Sequence, residues 1–317
     1  MTGVLVGVDL GGTNIRAAVA TGEATHEDVV RRDTPAHEGP DAVLDAVAAC
    51  VRTAAGAGAL DGVAIGIPGP LDPASGVVHA APHLEGWHEV PAASILSDKL
   101  GCPVAVRNDA TLAGFAEWKA GAGKHTRYFI FITVSTGIGG ALVFDGRLYE
   151  GVGGSAGEIG HAPALLDGPP CGQGHNGCLE GTASGTAIAA AARHALASGT
   201  TSALSQIDAA TLDARAVQGA AQHGDTLAIQ LFADAGRALG RAIGGLINLL
   251  NPEVVAIGGG LINAGDLLFK PMDAAVPEIA FEFPASKCRI VPAALGTDAG
   301  MVGAVAWATH VFGQPSR

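Results

Sequence analysis

Three glycine-rich turns are the first features of this chain that suggest chemistry. They lie at residues 11–12, 137–140 and 258–260, and each follows an apolar run typical of a strand. Glycine lets backbone N–H groups approach phosphate oxygens closely and adopts positive φ without strain. A single Gly-Gly turn is more often plain hairpin geometry, but three in one chain favour a phosphoryl-transfer site. None of them is a Walker-type phosphate loop or a dinucleotide-binding fingerprint.

The residues around these turns form a candidate site for a phosphate donor. Asp9 precedes the first turn, where its carboxylate could orient Mg²⁺ or the water shell of that ion. Thr13 and Asn14 could hydrogen-bond to phosphate oxygens. We expect the phosphate donor and Mg²⁺ to contact three sets of residues: Asp9, Gly11, Gly12, Thr13 and Asn14; Thr136, Gly137 and Gly139; and Gly258, Gly259 and Gly260.

Asp109 is the candidate general base. It begins a helical run that contains Leu112, Phe115 and Trp118, so it could equally be an N-cap, which stabilises a helix by about 1 kcal/mol. The two roles are compatible, because a carboxylate at a helix N-terminus stays ionised and is held rigidly. A loose phosphoryl-transfer transition state requires mainly positioning and one base.

The elements that position these residues alternate between strands and helices, which indicates an α/β fold. The order strand, glycine turn, strand near residue 10 recurs near residue 137, and this weak internal repeat predicts two related lobes. The hydrophobic patterns predict helices at 40–55, 92–100, 225–250 and 298–312, and strands at 63–67, 104–106 and 254–257.

Composition narrows the class of protein. The chain has 317 residues, enough for two domains. Its formal charge of −12, without a Lys/Arg run, argues against nucleic acid as a partner. No apolar stretch long enough to span a membrane is evident, and the first residues resemble a strand rather than a signal peptide. We expect a cytoplasmic protein that does not associate with membranes.

Four motifs of this chain resemble those of the ROK family of bacterial sugar kinases, in the actin/hexokinase-like superfamily. They are residues 9–14 (DLGGTN), 66–70 (GIPGP), 108–109 (ND) and 157–161 (GEIGH). The resemblance implies a two-lobed actin-like ATPase (ribonuclease H-like) fold around a central cleft. The predicted smaller lobe comprises residues 1–115 plus 298–317, and the larger lobe residues 116–297.

The same resemblance implies a sugar site and a reaction. It places sugar contacts at Gly69, His83, Asn108, Asp109, Glu158, His161 and Glu180. It implies ATP-dependent phosphorylation of a hexose, with glucose preferred and N-acetylmannosamine, N-acetylglucosamine, mannose or fructose as alternatives, in a homodimer or homotetramer. Two other classes stay open: a sugar-responsive regulator, although we expect no DNA-binding module before Asp9, and a non-catalytic sugar-binding protein.

Three positions depart from the family pattern. His83 stands where relatives commonly carry Asn, and Asn14 replaces a common lysine, which leaves inorganic polyphosphate as an alternative donor. Gln173 replaces the middle cysteine of the family's zinc segment. The resemblance leaves His161, Cys171 and Cys178 as zinc ligands, and His175 could supply a fourth. The alternative is a folded loop with two buried thiols.

Overall fold

The computed structural model describes residues 3–165 and 167–313. The strands are β1 (Val4–Leu10), β2 (Asn14–Val19), β3 (Val30–Asp33), β4 (Leu60–Ile67), β5 (Leu71–Asp72), β6 (Val77–Ala80), β7 (His88–Val90), β8 (Val104–Asn108), β9 (Phe129–Val134), β10 (Ile138–Phe144), β11 (Arg147–Tyr149), β12 (Val254–Gly258) and β13 (Arg289–Pro292). The α-helices are α1 (Pro40–Ala55), α2 (Ala92–Leu100), α3 (Asp109–Ala120), α4 (Leu179–Ala183), α5 (Gly185–Ala197), α6 (Ala214–Gln222), α7 (Thr226–Leu250), α8 (Asp266–Ala275), α9 (Glu282–Ala285) and α10 (Ala299–Phe312).

The chain divides into two compact units. The first comprises Met1–Arg127, Ala141–Gly157 and Ala294–Arg317, and the second comprises Tyr128–Gly140 and Glu158–Ala293. The first unit thus includes the segment Ala141–Gly157, which the sequence analysis assigned to the larger lobe. Residues 1–2 and 314–317 of the predicted smaller lobe, and residue 166 of the larger, lie outside the described residues.

The first unit is built on a five-stranded sheet with the order β3-β2-β1-β4-β8. β1 pairs antiparallel with β2 and parallel with β4, which in turn pairs parallel with β8. α1 and α2 pack with one hydrophobic cluster, and α3 and α10 pack with another. A side chain at Gly7 would clash with the backbone of Val305, so glycine allows α10 to lie directly against β1.

The second unit contains a five-stranded sheet with the order β11-β10-β9-β12-β13. β12 pairs parallel with both β9 and β13. The 25-residue helix α7 begins at an N-cap, Asp225, and ends at Asn251 in the left-handed conformation. Gly236 and Gly240 face the backbone of α8, where a Cβ would collide with it, so these two helices approach closely.

The predicted α/β class is confirmed, and so are the four predicted helices, within one or two residues at their ends. The predicted internal repeat is present in the secondary structure, because β1–β2 and β9–β10 both flank a glycine turn. Helices α4–α6 and the small sheet β5-β6-β7 were not predicted. Among the described residues, no helix is both long and apolar enough to cross a membrane.

Candidate active site

The carboxyl ends of three parallel strands bring the predicted residues of the first unit to one edge of its sheet. In the register of these strands, Asp9 on β1 lies beside Gly66 on β4. Ile67 on β4 lies beside Asn108 on β8. The motifs at 9–14, 66–70 and 108–109 therefore meet at one edge although they are far apart in sequence. Such an edge is where α/β sheets usually bind ligands.

Asn108, rather than Asp109, caps α3. Its Oδ1 accepts a hydrogen bond from the Thr111 amide at 3.1 Å, and its Nδ2 donates to the Gly69 carbonyl at 3.2 Å. Asp109 is the first residue of the helix, and its Oδ1 accepts from the Ala110 amide at 2.8 Å. The alternative that Asp109 is the N-cap is therefore wrong. Its neighbour makes the cap, and the Asp109 carboxylate lies in the positive field of the first helical turn.

The first glycine turn is closed by backbone hydrogen bonds and supported by a side chain. The Gly11 amide donates to the Asn14 carbonyl at 2.9 Å, and the Thr34 hydroxyl donates to the Gly11 carbonyl at 2.7 Å. The turn forms one wall of a cleft of about 380 Å³ in the first unit. The lining residues are Asp9, Gly11, Gly12, Thr13, Asn14, Arg16, Arg31 and Thr297.

Arg16, which the sequence analysis missed, holds Asp9 in place. Its Nε and Nη2 both donate to Oδ2 of Asp9, at 2.9 and 2.5 Å, and Nη2 also donates to the Thr297 carbonyl at 3.0 Å. Because both contacts use Oδ2, Oδ1 of Asp9 has no hydrogen-bond partner within the described part of the chain. A Cβ at Gly300 would lie 2.8 Å from that Oδ1, so the start of α10 closely approaches the carboxylate.

His83 lies against the first glycine turn. It adopts a positive φ of 70°, which is unusual for a non-glycine residue. A Cβ at Gly12 would be 3.1 Å from the His83 Cβ, and one at Gly69 would be 2.9 Å from Cδ of Pro82. The segment around His83, the first turn and Gly69 are therefore neighbours in the first unit.

In the second unit, Glu180 contacts the second glycine turn. Its Oε2 accepts a hydrogen bond from the Ile138 amide at 3.0 Å. A Cβ at Gly137 would lie 2.5 Å from the same oxygen, so the glycine makes room for this carboxylate. A side chain at Gly160 would collide with the Ile138 carbonyl, which brings residues 158–161 to the same turn.

Glu158 and His161 complete this group. Burial raises the pKa of the Glu158 carboxyl; the nearby His161 opposes that shift and the Glu180 carboxylate adds to it. The His161 amide donates to the Glu158 carbonyl at 3.1 Å, within a short 3₁₀ turn. His161 and Glu180 are therefore close enough to Glu158 to affect the pKa of its carboxyl.

The second and third glycine turns also adjoin within this unit. The Thr136 carbonyl accepts hydrogen bonds from the hydroxyl and the amide of Thr186, at 2.9 and 3.2 Å. Gly259 has a φ of 88°, and a side chain there would collide with the Val134 backbone. Gly139 lies on β10 and Gly258 ends β12. The structure thus groups the donor residues into two sets, the first turn in one unit and the other two turns in the second.

A cluster of potential metal ligands lies beside His161. One ligand atom each from His161, Cys171 and His175 lies within 4.8 Å of the others, and Sγ of Cys171 is 3.8 Å from Nδ1 of His161. Cys178 is outside this group; its Sγ accepts from the Gly181 amide at 3.4 Å. Burial raises the pKa of the Cys178 thiol, and the neighbouring Cys171 thiol raises it further. Two imidazoles and one thiolate suit Zn²⁺, and Cys178 is a nearby fourth donor.

An ion pair missed by the sequence analysis involves Arg107, the residue of β8 that precedes Asn108. Nε of Arg107 is 2.6 Å from Oε1 of Glu150, and the guanidinium lies 4.6 Å from the centre of the Trp307 ring. Burial lowers the pKa of Arg107, and Glu150 opposes that shift. The only local signal was an arginine at the end of the otherwise apolar strand β8, next to Asn108.

Two known sugar kinases are similar to this chain over nearly its whole length. A glucokinase from Thermotoga maritima is 33% identical over 302 residues, which cover 95% of each chain. An N-acetylmannosamine kinase from Shigella flexneri is 35% identical over 301 residues, covering 95% of this chain and 96% of that protein.

Two solved structures are similar over nearly the whole chain. A ROK family glucokinase from Streptomyces griseus, in complex with glucose and AMPPNP, has a TM-score of 0.81 and 31% identity, covering 97% of this chain and all of that one (100%). A ROK family transcriptional regulator, a homologue of the Escherichia coli MLC protein, has a TM-score of 0.85 and 26% identity; the match covers 98% of this chain but 78% of that one.

Fold and site together define an α/β protein of the actin-like ATPase class. The ROK family model matches residues 5–311, and the chain belongs to the ROK family. The resemblance inferred from the four motifs is thereby confirmed.

Proposed function

We propose that this protein is an ATP-dependent hexose kinase that converts glucose to glucose 6-phosphate. The glucokinase and N-acetylmannosamine kinase relatives confirm the prediction of a sugar kinase over nearly the full length of the chain. The observation that carries the assignment to this site is the β8–α3 junction, where Asn108 makes the helix cap and Asp109 begins the helix. A carboxylate held at such a position is suited to accept a proton.

In the proposed mechanism, Asp109 accepts the proton of the sugar hydroxyl as that oxygen attacks the γ-phosphate. Asn108 has already donated one N–H to Gly69 and accepted one backbone hydrogen bond, so its second N–H is available to a sugar hydroxyl. The remaining sugar contacts are Gly69, His83, Glu158, His161 and Glu180. Carboxylates, amides and imidazoles bind neutral hydroxyls without a cation.

We place ATP at the glycine turns and Mg²⁺ near Asp9. Oδ1 of Asp9 accepts no protein hydrogen bond in residues 3–165 and 167–313, which suits contact with the ion or its water shell. Bound Mg²⁺ would neutralise phosphate charge. Inorganic polyphosphate is the alternative donor, because Asn14 supplies no positive charge to the turn.

We propose a structural zinc site formed by His161, Cys171 and His175, with Cys178 as the fourth donor. The proximity of three donor atoms supports it. The bound ion would restrain His161 beside Glu158. Elemental analysis of purified His175→Ala should show less zinc per chain than wild type, whereas Gln173→Ala should not change it. Less than about 0.2 equivalents in the wild type would refute the site.

The test of the catalytic assignment is Asp109→Asn. General-base catalysis typically contributes about 10²–10⁴-fold, so we expect kcat to fall by at least about 100-fold while glucose binding stays measurable by calorimetry. The control is Asp98→Asn, an exposed aspartate on α2, which should keep wild-type activity. Asp109→Asn with more than a tenth of wild-type kcat would refute the role.

N-acetylmannosamine is the second candidate substrate, because a relative of that name is as similar as the glucokinases. His83 is the feature of this chain that could favour it, since an imidazole differs in size from the expected carboxamide. An ADP-release screen across hexoses and N-acetylhexosamines decides between them. No turnover with any sugar would favour the regulator or the non-catalytic binding protein.

We further propose a cytoplasmic homodimer or homotetramer that binds neither nucleic acid nor membranes. The formal charge of −12 supports the exclusion of nucleic acid. Light scattering of the purified protein measures the oligomeric state directly.

A further inference from the structure

Three charged residues form a row across the first three strands of the first unit. Asp9 on β1 lies opposite Arg16 on β2, and Arg16 lies opposite Arg31 on β3. Residues directly opposite each other in antiparallel strands point to the same face of the sheet. The row therefore places one carboxylate and two guanidinium groups side by side.

The two arginines are not equivalent. Arg16 is mostly buried and binds Asp9 and the Thr297 carbonyl, with Asp298 at 3.8 Å. Arg31 is exposed, and it has no hydrogen-bond or ion-pair partner among residues 3–165 and 167–313. Like charges directly opposite each other destabilise a sheet. Folding alone therefore gives no reason for an arginine at this position.

Arg31 lines the same cleft as the first glycine turn. The backbone amides of Gly12 and Thr13, in that turn, donate to no acceptor in the described part of the chain. Asp33, which lies opposite Asn14 in the register, is not among the lining residues and forms no ion pair with Arg31. A free guanidinium beside unpaired amides is the arrangement that binds an anion.

We propose that Arg31 binds a phosphate group of the phosphoanhydride chain of the donor, together with the amides of Gly12 and Thr13. The inference rests on the proposed kinase function and explains how the site obtains the positive charge that Asn14 does not provide. Arg16 stays bound to Asp9 and fixes the wall of the cleft, so Arg31 is the cation that contacts the ligand. A nucleoside triphosphate and inorganic polyphosphate share this chemistry.

The test compares Arg31→Gln with Arg32→Gln. Arg32 is the next residue on the same strand, also exposed, and lies opposite Ile15 on the other face. Isothermal titration calorimetry would measure the affinities of MgATP, inorganic tripolyphosphate and AMP without any sugar. We expect Arg31→Gln to weaken MgATP binding about tenfold, the low end for a charged hydrogen bond, because Arg31 is exposed. AMP and glucose binding should stay unchanged, and Arg32→Gln should behave as wild type.

Two further readouts separate this role from a structural one. The MgATP affinity of the wild type should fall more steeply with added salt than that of Arg31→Gln, because one cationic contact is missing in the variant. The variant should unfold at the same temperature as wild type or at a higher one, because the charge repulsion between Arg31 and Arg16 is removed.

The outcomes are distinct. If Arg31→Gln binds both MgATP and tripolyphosphate more weakly than wild type does, the proposal holds for any phosphoanhydride chain. If only MgATP binding is weakened, the proposal holds with a nucleotide as the ligand. Equal MgATP affinity in Arg31→Gln and wild type, an equal loss in Arg32→Gln, or an equal loss for AMP overturns it. Because no measurement requires sugar turnover, a failure of the kinase assignment in the hexose screen would be recognised separately.

Discussion

The carboxylate of Glu117 is fully buried, with 0% exposure, and it joins two distant segments of the first unit. Its Oε2 accepts hydrogen bonds from the amides of Ala122 and Ala294, at 2.8 and 3.0 Å, and its Oε1 accepts from the Leu295 amide at 2.7 Å. Glu117 lies near the end of α3, and residues 294–295 precede α10. This one side chain therefore connects the helix that begins at Asp109 to the segment before α10.

Glu117→Gln changes the hydrogen-bonding capacity of this group with little change in shape. An amide has one acceptor oxygen, so its best orientation keeps the bonds to Ala122 and Ala294 and turns its NH₂ group towards the Leu295 N–H. A hydrogen bond to a charged group contributes about 1.5–3 kcal/mol, and an unpaired buried donor costs about 1–3 kcal/mol. The lost hydrogen bond and the unpaired donor are partly the same loss, so the two values are not added in full. We expect the free energy of unfolding to fall by about 2–4 kcal/mol.

Tryptophan fluorescence is a selective assay for this effect. All three tryptophans, Trp87, Trp118 and Trp307, lie in the first unit. At about 2–4 °C per kcal/mol for a protein region of this size, the fluorescence-detected Tm should fall by about 4–16 °C. The control is Glu27→Gln, an exposed glutamate without a side-chain partner in the described residues. A Tm for Glu117→Gln within about 1 °C of wild type would refute the reasoning, because it would mean that the three amides find other acceptors.

Two further predictions concern charged groups. In a double-mutant cycle of Arg107→Gln and Glu150→Gln, the coupling free energy of unfolding should be about 1–3 kcal/mol, because both side chains are largely buried at 15% and 25% exposure. Burial acts to raise the pKa of Asp225, but the combined hydrogen bonds from the amides of Ala228 and Ala203 and from the Ser202 hydroxyl outweigh it, so the pKa of this carboxyl is lowered. The charged form therefore stabilises the fold above the unfolded-state pKa, and this stability is lost as pH falls through the lower folded-state pKa. Asp225→Asn should be less stable than wild type by about 0.5–1 kcal/mol at pH 7, and urea unfolding should show that difference shrinking as the pH falls below about 4.

Matched controls exist for both predictions. The exposed pair Asp266–Lys270 on α8, at 79% and 76% exposure, should give a much smaller coupling free energy, because solvent screens exposed charges. A coupling for Arg107 and Glu150 no larger than this would contradict the first prediction. Asp28→Asn, an exposed aspartate without a side-chain partner in the described residues, should leave the pH profile unchanged. A constant difference between Asp225→Asn and wild type down to pH 3 would contradict the second.

Several parts of the fold could be predicted from sequence because their signals are local. The spacing of apolar residues in α7 and the glycine turns after β1, β9 and β12 depend only on neighbours along the chain. The small sheet β5-β6-β7 was missed because its strands have two to four residues, too few to show an alternating pattern. Helix α4 was missed because it has only five residues, and α5 because alanine fills most of it. Helix α6 has a distinct apolar face with Val217 and Ala221 buried, which the sequence analysis overlooked.

The candidate site divides in the same way. The residue types at Asp9, Asn108, Asp109, Glu158 and Glu180 were evident from motifs, and so was the likeness to a kinase family. The motifs did not show which residue of the pair 108–109 caps α3. Both side chains are good N-caps, and only the backbone conformation distinguishes them. The positions of Arg16 and Arg31 also required the register of the strands.

The sequence by itself determined the α/β class, the glycine turns, the acidic net charge and the family. The tertiary structure alone decided which charges meet: Arg16 with Asp9, Arg107 with Glu150, and Glu117 with amides 177 and 178 residues away in the chain. The physical reason is that secondary structure follows from interactions between neighbours in sequence. The charge environment of a site depends on strand register and helix packing, which bring together groups that carry no signal of each other in the sequence.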